Sequence, residues 1–180
     1  MRILIVTHPR SGGRSLTKWI AYELGCEFIH EPYHTVYTHM EDLNKMYQSK
    51  DIVVKILYHD IDDIMNIDNF INSFDKIICL TRKNTFNAAI SLTKAQESEK
   101  WHDNYEINSE WITNNIVNIK KNHSDINHAE GKIIEFPYFQ VTYENIYEKT
   151  GDIKELKNFL GIKRLKGVKK FLDNKLRYKK

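Results

Sequence analysis

Residues 2–25 decide the fold, and they read RILIVTHPRSGGRSLTKWIAYELG. Ile3 to Val6 form an uninterrupted apolar run, which is the pattern of a strand buried on both faces of a parallel sheet. Turn-forming residues follow at once in positions 8–15. The segment therefore predicts a strand, a glycine-containing loop and a helix, with Gly25 as its left-handed C-terminal cap. The helix is indicated by apolar residues at helical spacing, namely Leu16, Trp19, Ile20 and Leu24.

The rest of the chain continues this alternation of strands and helices. Short apolar runs predict further strands at 26–29, 52–57 and 77–80, and one or two more at 133–134 and 139–143, interrupted by Pro137. Helical spacing predicts helices around 40–47, within 61–74, and over 85–99, 108–121 and 153–160. The order of elements predicts one α/β domain over residues 1–180, with a mainly parallel sheet flanked by helices.

Composition argues against several classes of protein. With 41% hydrophobic and 28% charged residues, the 180-residue chain is typical of a globular protein. A net charge of +3 does not indicate a nucleic-acid partner, and no apolar run reaches the roughly 18 residues of a membrane span. Cys26 and Cys79 lie in apolar surroundings, which favours two free thiols in a reducing compartment, the cytoplasm. No Cys/His cluster has zinc spacing, and no metal is expected.

The loop at residues 10–15 has the features of an anion site. It leaves a buried strand and opens a helix, whose first N–H groups and positive dipole end attract anions. Gly12 and Gly13 allow close approach of the backbone, Arg10 and Arg14 add positive charge, and the hydroxyls of 11 and 15 add donors. The alternative is a tight turn with solvated arginines. The nucleotide-hydrolase pattern Gly-x-x-x-x-Gly-Lys-Ser/Thr is absent, which argues against a kinase or ATPase.

Residues 9–16, PRSGGRSL, resemble the 5'-phosphosulfate loop of the sulfotransferases that use 3'-phosphoadenosine 5'-phosphosulfate (PAPS). The resemblance implies a three-layer P-loop-type domain and a cofactor site formed by Arg10, Ser11, Gly12, Gly13, Arg14, Ser15 and Leu16. It also implies no metal and 3',5'-adenosine bisphosphate as the product. Gly13 and Arg14 replace the commoner pair of threonines, and this removes two hydroxyl donors.

Two later segments are similar to the same family in the same order. Residues 79–91, CLTRKNTFNAAIS, resemble its 3'-phosphate segment, in which a cation at a strand end and a serine on the next helix hold one phosphate. Arg82 with Ser91 is the preferred pair, and Lys83 with Ser91 is the alternative. Residues 141–146 and 156–162 resemble packing elements of the family. The basic stretch 163–170 is a solvated face or, as in many members, part of the 3'-phosphate site.

The general base has two candidates. Glu31, in the run Ile29-His30-Glu31-Pro32, resembles the Glu-Pro base of bacterial and carbohydrate-type members and follows a predicted strand. His59 follows the Val53-Val54-Lys55 run, where the small-molecule branch has a histidine at the position that Leu57 occupies here. His59 would face the same side as Leu57 if the strand stayed extended. We favour Glu31, with Lys55 and Arg10 as cations at the transferring sulfo group.

The expected function is sulfo transfer to a hydroxyl of a sugar, a phenol or a peptide tyrosine. Segments 33–49 and 101–130 carry aromatic residues that would line the pocket of this small-molecule or carbohydrate acceptor, or else belong to the core. The alternatives are a P-loop kinase, which would bind ATP with magnesium, and a non-catalytic module that binds polyanions.

Overall fold

The computed structural model describes residues 1–34, 40–64, 66–99, 101, 107–148 and 151–162. Within these ranges, five strands form one sheet in the order β2-β3-β1-β4-β5, and every neighbouring pair is parallel. The strands are β1 (Arg2–Thr7), β2 (Glu27–His30), β3 (Ile52–Leu57), β4 (Lys76–Thr81) and β5 (Phe139–Thr142). The predicted α/β fold with a parallel sheet is confirmed.

Helices cover both faces of this sheet and make the domain three layers thick. They are α1 (Gly13–Leu24), α2 (Met40–Gln48), α3 (Ile67–Asn72), α4 (Thr85–Ser98), α5 (Ser109–Asn114), α6 (Ile116–Ile134), α7 (Tyr143–Tyr147) and α8 (Gly151–Leu160). A 3-10 helix covers Tyr58–Asp63. Gly25 ends α1 with a φ of 67°, which confirms the left-handed cap.

The aliphatic run of β1 is buried because the strand lies at the centre of the sheet. Alternate residues point to opposite faces: Ile3 and Ile5 pack with α1 and α8, whereas Leu4 and Val6 pack with α3 and the end of α6. Ile3, Leu4 and Ile5 are completely buried. The core therefore consists of two apolar layers, one on each side of β1, and the continuous run is what a doubly covered parallel strand requires.

The prediction of a strand at 133–134 was wrong. These residues end α6, which begins after a break at Asn115, so the predicted helix 108–121 is two helices, and the second continues to Ile134. Ile119, Ile126 and Ile133 are buried and lie seven residues, or two helical turns, apart. The polar residues between them concealed this period. The helix predicted within 61–74 is also divided, into the 3-10 helix and α3.

Cys26 and Cys79 are free thiols, as predicted, with Cys79 buried and Cys26 half-buried. No helix in the described ranges has the length and apolar character needed to cross a membrane. The basic stretch 163–170 lies outside the described residues.

Gly131→Ala tests the helical assignment of this corrected region. Gly131 lies inside α6, and a methyl group there would meet no atom within 4 Å. We expect the substitution to raise the free energy of unfolding by about 0.5–1 kcal/mol, because alanine favours a helix over glycine. Gly25→Ala is the matched control, since it also adds a methyl in open space but at a φ of 67°, and it should be destabilising. Urea unfolding of both variants gives the answer, and a loss of stability in Gly131→Ala would contradict a helix at this position.

Candidate functional site

The candidate site lies where the carboxyl ends of the strands meet. All five strands run in the same direction, so the segments that follow β1, β2, β3 and β4 emerge at one edge of the sheet. The order β2-β3-β1-β4-β5 reverses direction between β3 and β4, on either side of β1. In open α/β sheets this is the point at which ligands bind. The loop that follows β1 occupies it.

Hydrogen bonds from two buried hydroxyl groups, those of Thr7 and Ser11, hold the start of this loop in place. The Thr7 hydroxyl donates to the carbonyl oxygen of Leu80 on β4 at 2.8 Å and contacts the Ser11 hydroxyl. The Ser11 hydroxyl lies 2.8 Å from the carbonyl oxygen of His8. Ser11 is therefore buried and shapes the loop. Two residues in the left-handed region, Arg10 at φ 63° and Gly12 at φ 83°, then turn the chain into α1.

The end of the loop presents the first N–H groups of α1. Gly12 is the N-cap residue, and its carbonyl oxygen accepts a hydrogen bond from the N–H of Leu16 at 3.2 Å. The N–H groups of residues 13–15 precede that bond and have no partner within the helix. Ser15 and Arg14 are half-buried in this first turn, whereas the Leu16 side chain packs into the apolar core.

The Lys55 side chain passes over Gly13 and occupies the space that a side chain at this position would need. A Cβ atom at Gly13 would lie 2.8 Å from Lys55 Cε and 2.9 Å from Thr7 Cγ2. Lys55 projects from β3, the strand next to β1, and only 5% of the residue is exposed. The glycine thus brings the lysine ammonium group and the start of α1 together.

Lys55 forms an ion pair with Glu31. The Glu31 N–H also donates to the Lys55 carbonyl oxygen at 2.8 Å, and Glu31 adopts a left-handed φ of 55°. Burial is the largest influence on the pKa of Glu31 and raises it, but electrostatic interactions, chiefly with Lys55 and then with His30, together lower it by more, so the net pKa lies below the usual carboxyl value. Burial also lowers the pKa of Lys55, against the opposing effect of the Glu31 carboxylate. Glu31 is consequently ionised at neutral pH.

His59 does not extend β3 as the sequence predicted. The strand ends at Leu57, and His59 lies in the 3-10 helix, so the argument from strand alternation was wrong. Its side chain is 54% exposed, and its Nε2 atom lies 3.4 Å from Asp60 Oδ1. The His59 ring is 6.1 Å from that of His34. Glu31, by contrast, forms an ion pair with Lys55, whose side chain lies over Gly13 in the loop.

Arg82, Ser91 and Arg10 come together on the other side of the loop. Arg82 is 7% exposed; its Nη1 donates to the carbonyl oxygen of Arg10 at 2.7 Å, and its guanidinium lies 4.3 Å from the Tyr143 ring centroid. Arg10 Nε donates to Ser91 Oγ at 2.8 Å, and its Nη1 donates to the carbonyl oxygen of Trp101 at 2.7 Å. Two guanidinium groups and a hydroxyl thus form a basic cluster contiguous with the loop.

One atom of this cluster has an unused hydrogen-bonding capacity. Arg82 Nε is buried and has no hydrogen-bond partner within the described part of the chain. A buried N–H donor is ordinarily paired, and an anion is the natural partner for a guanidinium. Lys83 differs, because it is exposed and its backbone N–H donates to Glu144. Arg82 is therefore better placed than Lys83 to bind an anion beside the loop.

Sequence reasoning missed the contacts that hold these segments together. The ring of His8 is fully buried, and its Nε2 lies 3.0 Å from a carboxylate oxygen of Glu130 on α6. The same carboxylate accepts the backbone N–H of Arg82 at 3.2 Å. Glu144 accepts the N–H groups of Lys83 and Asn84, each at 3.0 Å. No motif signalled Glu130, whereas Glu144 lies in the segment identified as a packing element.

The structure describes only parts of the segments expected to line an acceptor pocket. Residues 35–39 and 102–106 lie outside the described ranges. Within the described ranges, no group of three or more His, Cys, Asp or Glu side chains is arranged to hold a metal ion.

The fold is of the P-loop type, with a parallel sheet and a glycine-containing loop between the first strand and the first helix. No protein-family model and no curated protein sequence matches the chain. Among solved structures, the chain is similar to mouse sulfotransferase SULT7A1 complexed with PAP, at 14% identity and a TM-score of 0.55 over 91% of this chain. It is also similar to shikimate kinase from Bacteroides thetaiotaomicron, at 13% identity and a TM-score of 0.52 over 89% of this chain.

The two similar structures differ in size. The matched region covers 98% of the kinase but 59% of the sulfotransferase, so this chain spans about three fifths of the length of that sulfotransferase. At these identities the similarity establishes the fold that they share.

Lys55→Met is expected to reverse the shift in the pKa of Glu31. Burial, which is the largest influence on this carboxyl group, raises its pKa, and Lys55 is the main group that opposes it. Without the ammonium group, the pKa should move from below 4.5, the ordinary value, to above it. Carbon-detected NMR titration of the carboxyl groups measures this change. Lys45→Met, which breaks the exposed pair between Lys45 and Glu27, is the matched control and should leave the pKa of Glu31 below 4.5. A Glu31 pKa that stays below 4.5 in Lys55→Met would show that Lys55 does not hold it down.

Proposed function

We propose that this chain is a PAPS-dependent sulfotransferase that transfers a sulfo group to an acceptor hydroxyl. The observation that carries the proposal is the basic cluster of Arg10, Arg82 and Ser91 beside the anion-binding loop. A donor with a phosphate at each end of its ribose needs two adjacent anion sites. The loop at 10–15 and this cluster offer two such sites on neighbouring strand ends. Arg82 Nε, which has no hydrogen-bond partner among the described residues, supports a charged ligand at the second.

In this proposal the 5'-phosphosulfate binds to the N–H groups that open α1, and the 3'-phosphate binds to Arg82 and Ser91. Gly12 and Gly13 leave the helix end accessible, and Arg14 adds positive charge in the first turn. Arg10 links the two sites, since its side chain bonds Ser91 while its carbonyl oxygen accepts from Arg82. The similar structure of mouse sulfotransferase SULT7A1 complexed with PAP supports this assignment at the level of the fold.

The proposed chemistry uses the pair formed by Glu31 and Lys55. PAPS supplies a sulfo group that is activated by its bond to phosphate. Glu31, ionised at neutral pH, accepts the proton of the acceptor hydroxyl while the acceptor oxygen bonds to sulfur. The electron pair of the broken sulfur–oxygen bond remains on the phosphate oxygen of 3',5'-adenosine bisphosphate. Lys55, which lies between Glu31 and Gly13, neutralises the charge that develops on that oxygen.

A kinase of the P-loop type is the second candidate, and one observation favours it. Gly13-Arg14-Ser15 occupies the place of Gly-Lys-Ser/Thr at the end of the nucleotide-hydrolase loop, with arginine in place of lysine. Ser15 would then hold magnesium. The similarity to shikimate kinase in fold is compatible with this alternative. The sulfotransferase proposal, in contrast, assigns the basic cluster around Arg82 to the 3'-phosphate of the donor.

Metal-free binding of 3',5'-adenosine bisphosphate tests the proposed function. At about 100 times its dissociation constant, this ligand should raise the free energy of unfolding by about 2.7 kcal/mol in a thermal-shift experiment with EDTA present. Arg82→Met should weaken its binding by about 1.5–3 kcal/mol, which is the range for a hydrogen bond to a charged group. The same variant should bind adenosine 5'-phosphosulfate, which lacks the 3'-phosphate, almost as the unmodified chain does.

Lys83→Met is the matched control for this experiment. It removes the neighbouring positive charge, but Lys83 is exposed, so binding of both ligands should change little. If Lys83→Met rather than Arg82→Met loses affinity for the bisphosphate, the second phosphate binds to Lys83. Stabilisation by ATP with magnesium, without any effect of the bisphosphate, would overturn the sulfotransferase assignment in favour of a kinase.

Glu31→Gln tests the general base. Because the nucleotide is held by other residues, its affinity should stay nearly constant while turnover falls by roughly 10²–10⁴. His59→Asn is the comparison variant and should cost much less, since the His59 side chain is largely exposed and no hydrogen bond joins it to Lys55 or Gly13 within the described residues. Turnover is measured with labelled PAPS and an acceptor found by screening sugars, phenols and tyrosine peptides. Near-normal turnover of Glu31→Gln together with an inactive His59→Asn would assign the base to His59.

A further inference from the structure

The carbonyl oxygen of Gly12 is held by a residue from the far end of the chain. The hydroxyl of Tyr147, on α7, donates to this oxygen at 2.7 Å. The N–H of Leu16 donates to the same oxygen at 3.2 Å. Both lone pairs of the carbonyl group therefore have partners, and one of them depends on a side chain 135 positions away in sequence.

The direction of this carbonyl group determines where the Gly13 N–H points. A trans peptide is planar, with its C=O and N–H directed to opposite sides. Fixing the Gly12 oxygen therefore fixes the Gly13 N–H, which is the first N–H of α1 and has no partner within the helix. The plane of this peptide lies between two residues without Cβ atoms, so its rotation meets little steric resistance. The Leu16 N–H holds the Gly12 oxygen through a 3.2 Å hydrogen bond, and the Tyr147 hydroxyl adds a second, shorter one of 2.7 Å.

The Tyr147 side chain is itself held firmly. Its ring lies against Gly12, with Cε2 only 2.6 Å from the position that a Cβ atom there would occupy. The ring of Tyr143 packs against it with a centroid distance of 4.6 Å. Burial raises the pKa of Tyr147, as does the neighbouring Tyr143, so the hydroxyl remains protonated and able to donate. The helix α7 is fixed in turn by Glu144, which accepts the N–H groups of Lys83 and Asn84.

We propose that Tyr147 is a positioning residue that locks the peptide between Gly12 and Gly13 so that the Gly13 N–H faces an anion bound in the loop. The inference rests on the proposed function in one respect, that an anion binds at this loop, and it holds for a sulfotransferase and for a kinase. Tyr147 does not touch the anion. It acts through the backbone of Gly12, with which its hydroxyl and ring are both in contact.

Tyr147→Phe isolates this role because it keeps the ring and removes only the hydroxyl. In the ligand-free protein, the amide signal of Gly13 should broaden in ¹⁵N relaxation-dispersion NMR, since two peptide orientations exchange. Affinity for inorganic pyrophosphate should fall roughly tenfold, the lower end of the range for one hydrogen bond to a charged group. Tyr47→Phe is the matched control, because it removes a 2.6 Å hydroxyl contact with Tyr33 that does not involve the loop, and it should change neither quantity.

The two measurements separate this inference from the proposed function. If the Gly13 signal and the pyrophosphate affinity are both unchanged in Tyr147→Phe, Tyr147 does not fix the peptide between Gly12 and Gly13. Equal broadening in Tyr47→Phe would also overturn the inference, because the effect would then be a general loss of rigidity. If the unmodified chain fails to bind pyrophosphate, the loop is not an anion site and the proposed function is refuted. The Gly13 signal in Tyr147→Phe still decides whether Tyr147 orients the peptide.

Discussion

The buried charge of Lys55 is the constraint on which the candidate site depends. An ammonium group that is removed from water costs several kcal/mol unless a counter-ion lies close to it, and here the Glu31 carboxylate fills that role. To reach it, Glu31 adopts a left-handed backbone conformation that costs about 1 kcal/mol or more for a residue with a side chain. Gly13 must lack a Cβ atom for the lysine to pass. One buried cation thus explains the residue types and conformations at the ends of two strands and at the start of α1.

The loop after β1 and the segment after β4 are positioned mainly by residues that come much later in the chain. Glu130 on α6 joins the buried ring of His8 to the backbone of Arg82, while α7 contacts the loop through Tyr147 and the β4 segment through Glu144. In the proposed function, one nucleotide contacts both segments, which requires a fixed separation. The helices on the two faces of the sheet do more than cover the core, because they determine the distance between the loop after β1 and the segment after β4.

Features that are encoded in one short stretch of sequence could be predicted, whereas contacts between distant residues could not. The strand β1, the loop and α1 were predicted because one 24-residue stretch contains every cue, and the family resemblance pointed to residues 82 and 91. The end of α6 was mistaken for a strand because Ile133 and Ile134 are adjacent and apolar, although only Ile133 belongs to the helical seven-residue spacing. The end of β3 at Leu57 was predicted, but nothing in the sequence showed that a 3-10 helix follows it and turns His59 away from an extended path. The partnership of Tyr147 with Gly12 could not be inferred, since it joins residues 135 positions apart.

The central position of β1 has a consequence for how the chain is made. The ribosome synthesises this strand before β3 and β4, its two neighbours in the sheet, so one edge lacks its partner until residue 57 has emerged and the other until residue 81. At about 5–20 residues per second, that interval lasts on the order of 4–15 seconds. Throughout it a fully aliphatic segment is open to wrong pairing, and it is a natural client for chaperones. The loop that follows β1 gains its hydrogen bond from Tyr147 only after α7 has been synthesised, 135 residues later than Gly12, so it reaches its final conformation well after its own synthesis.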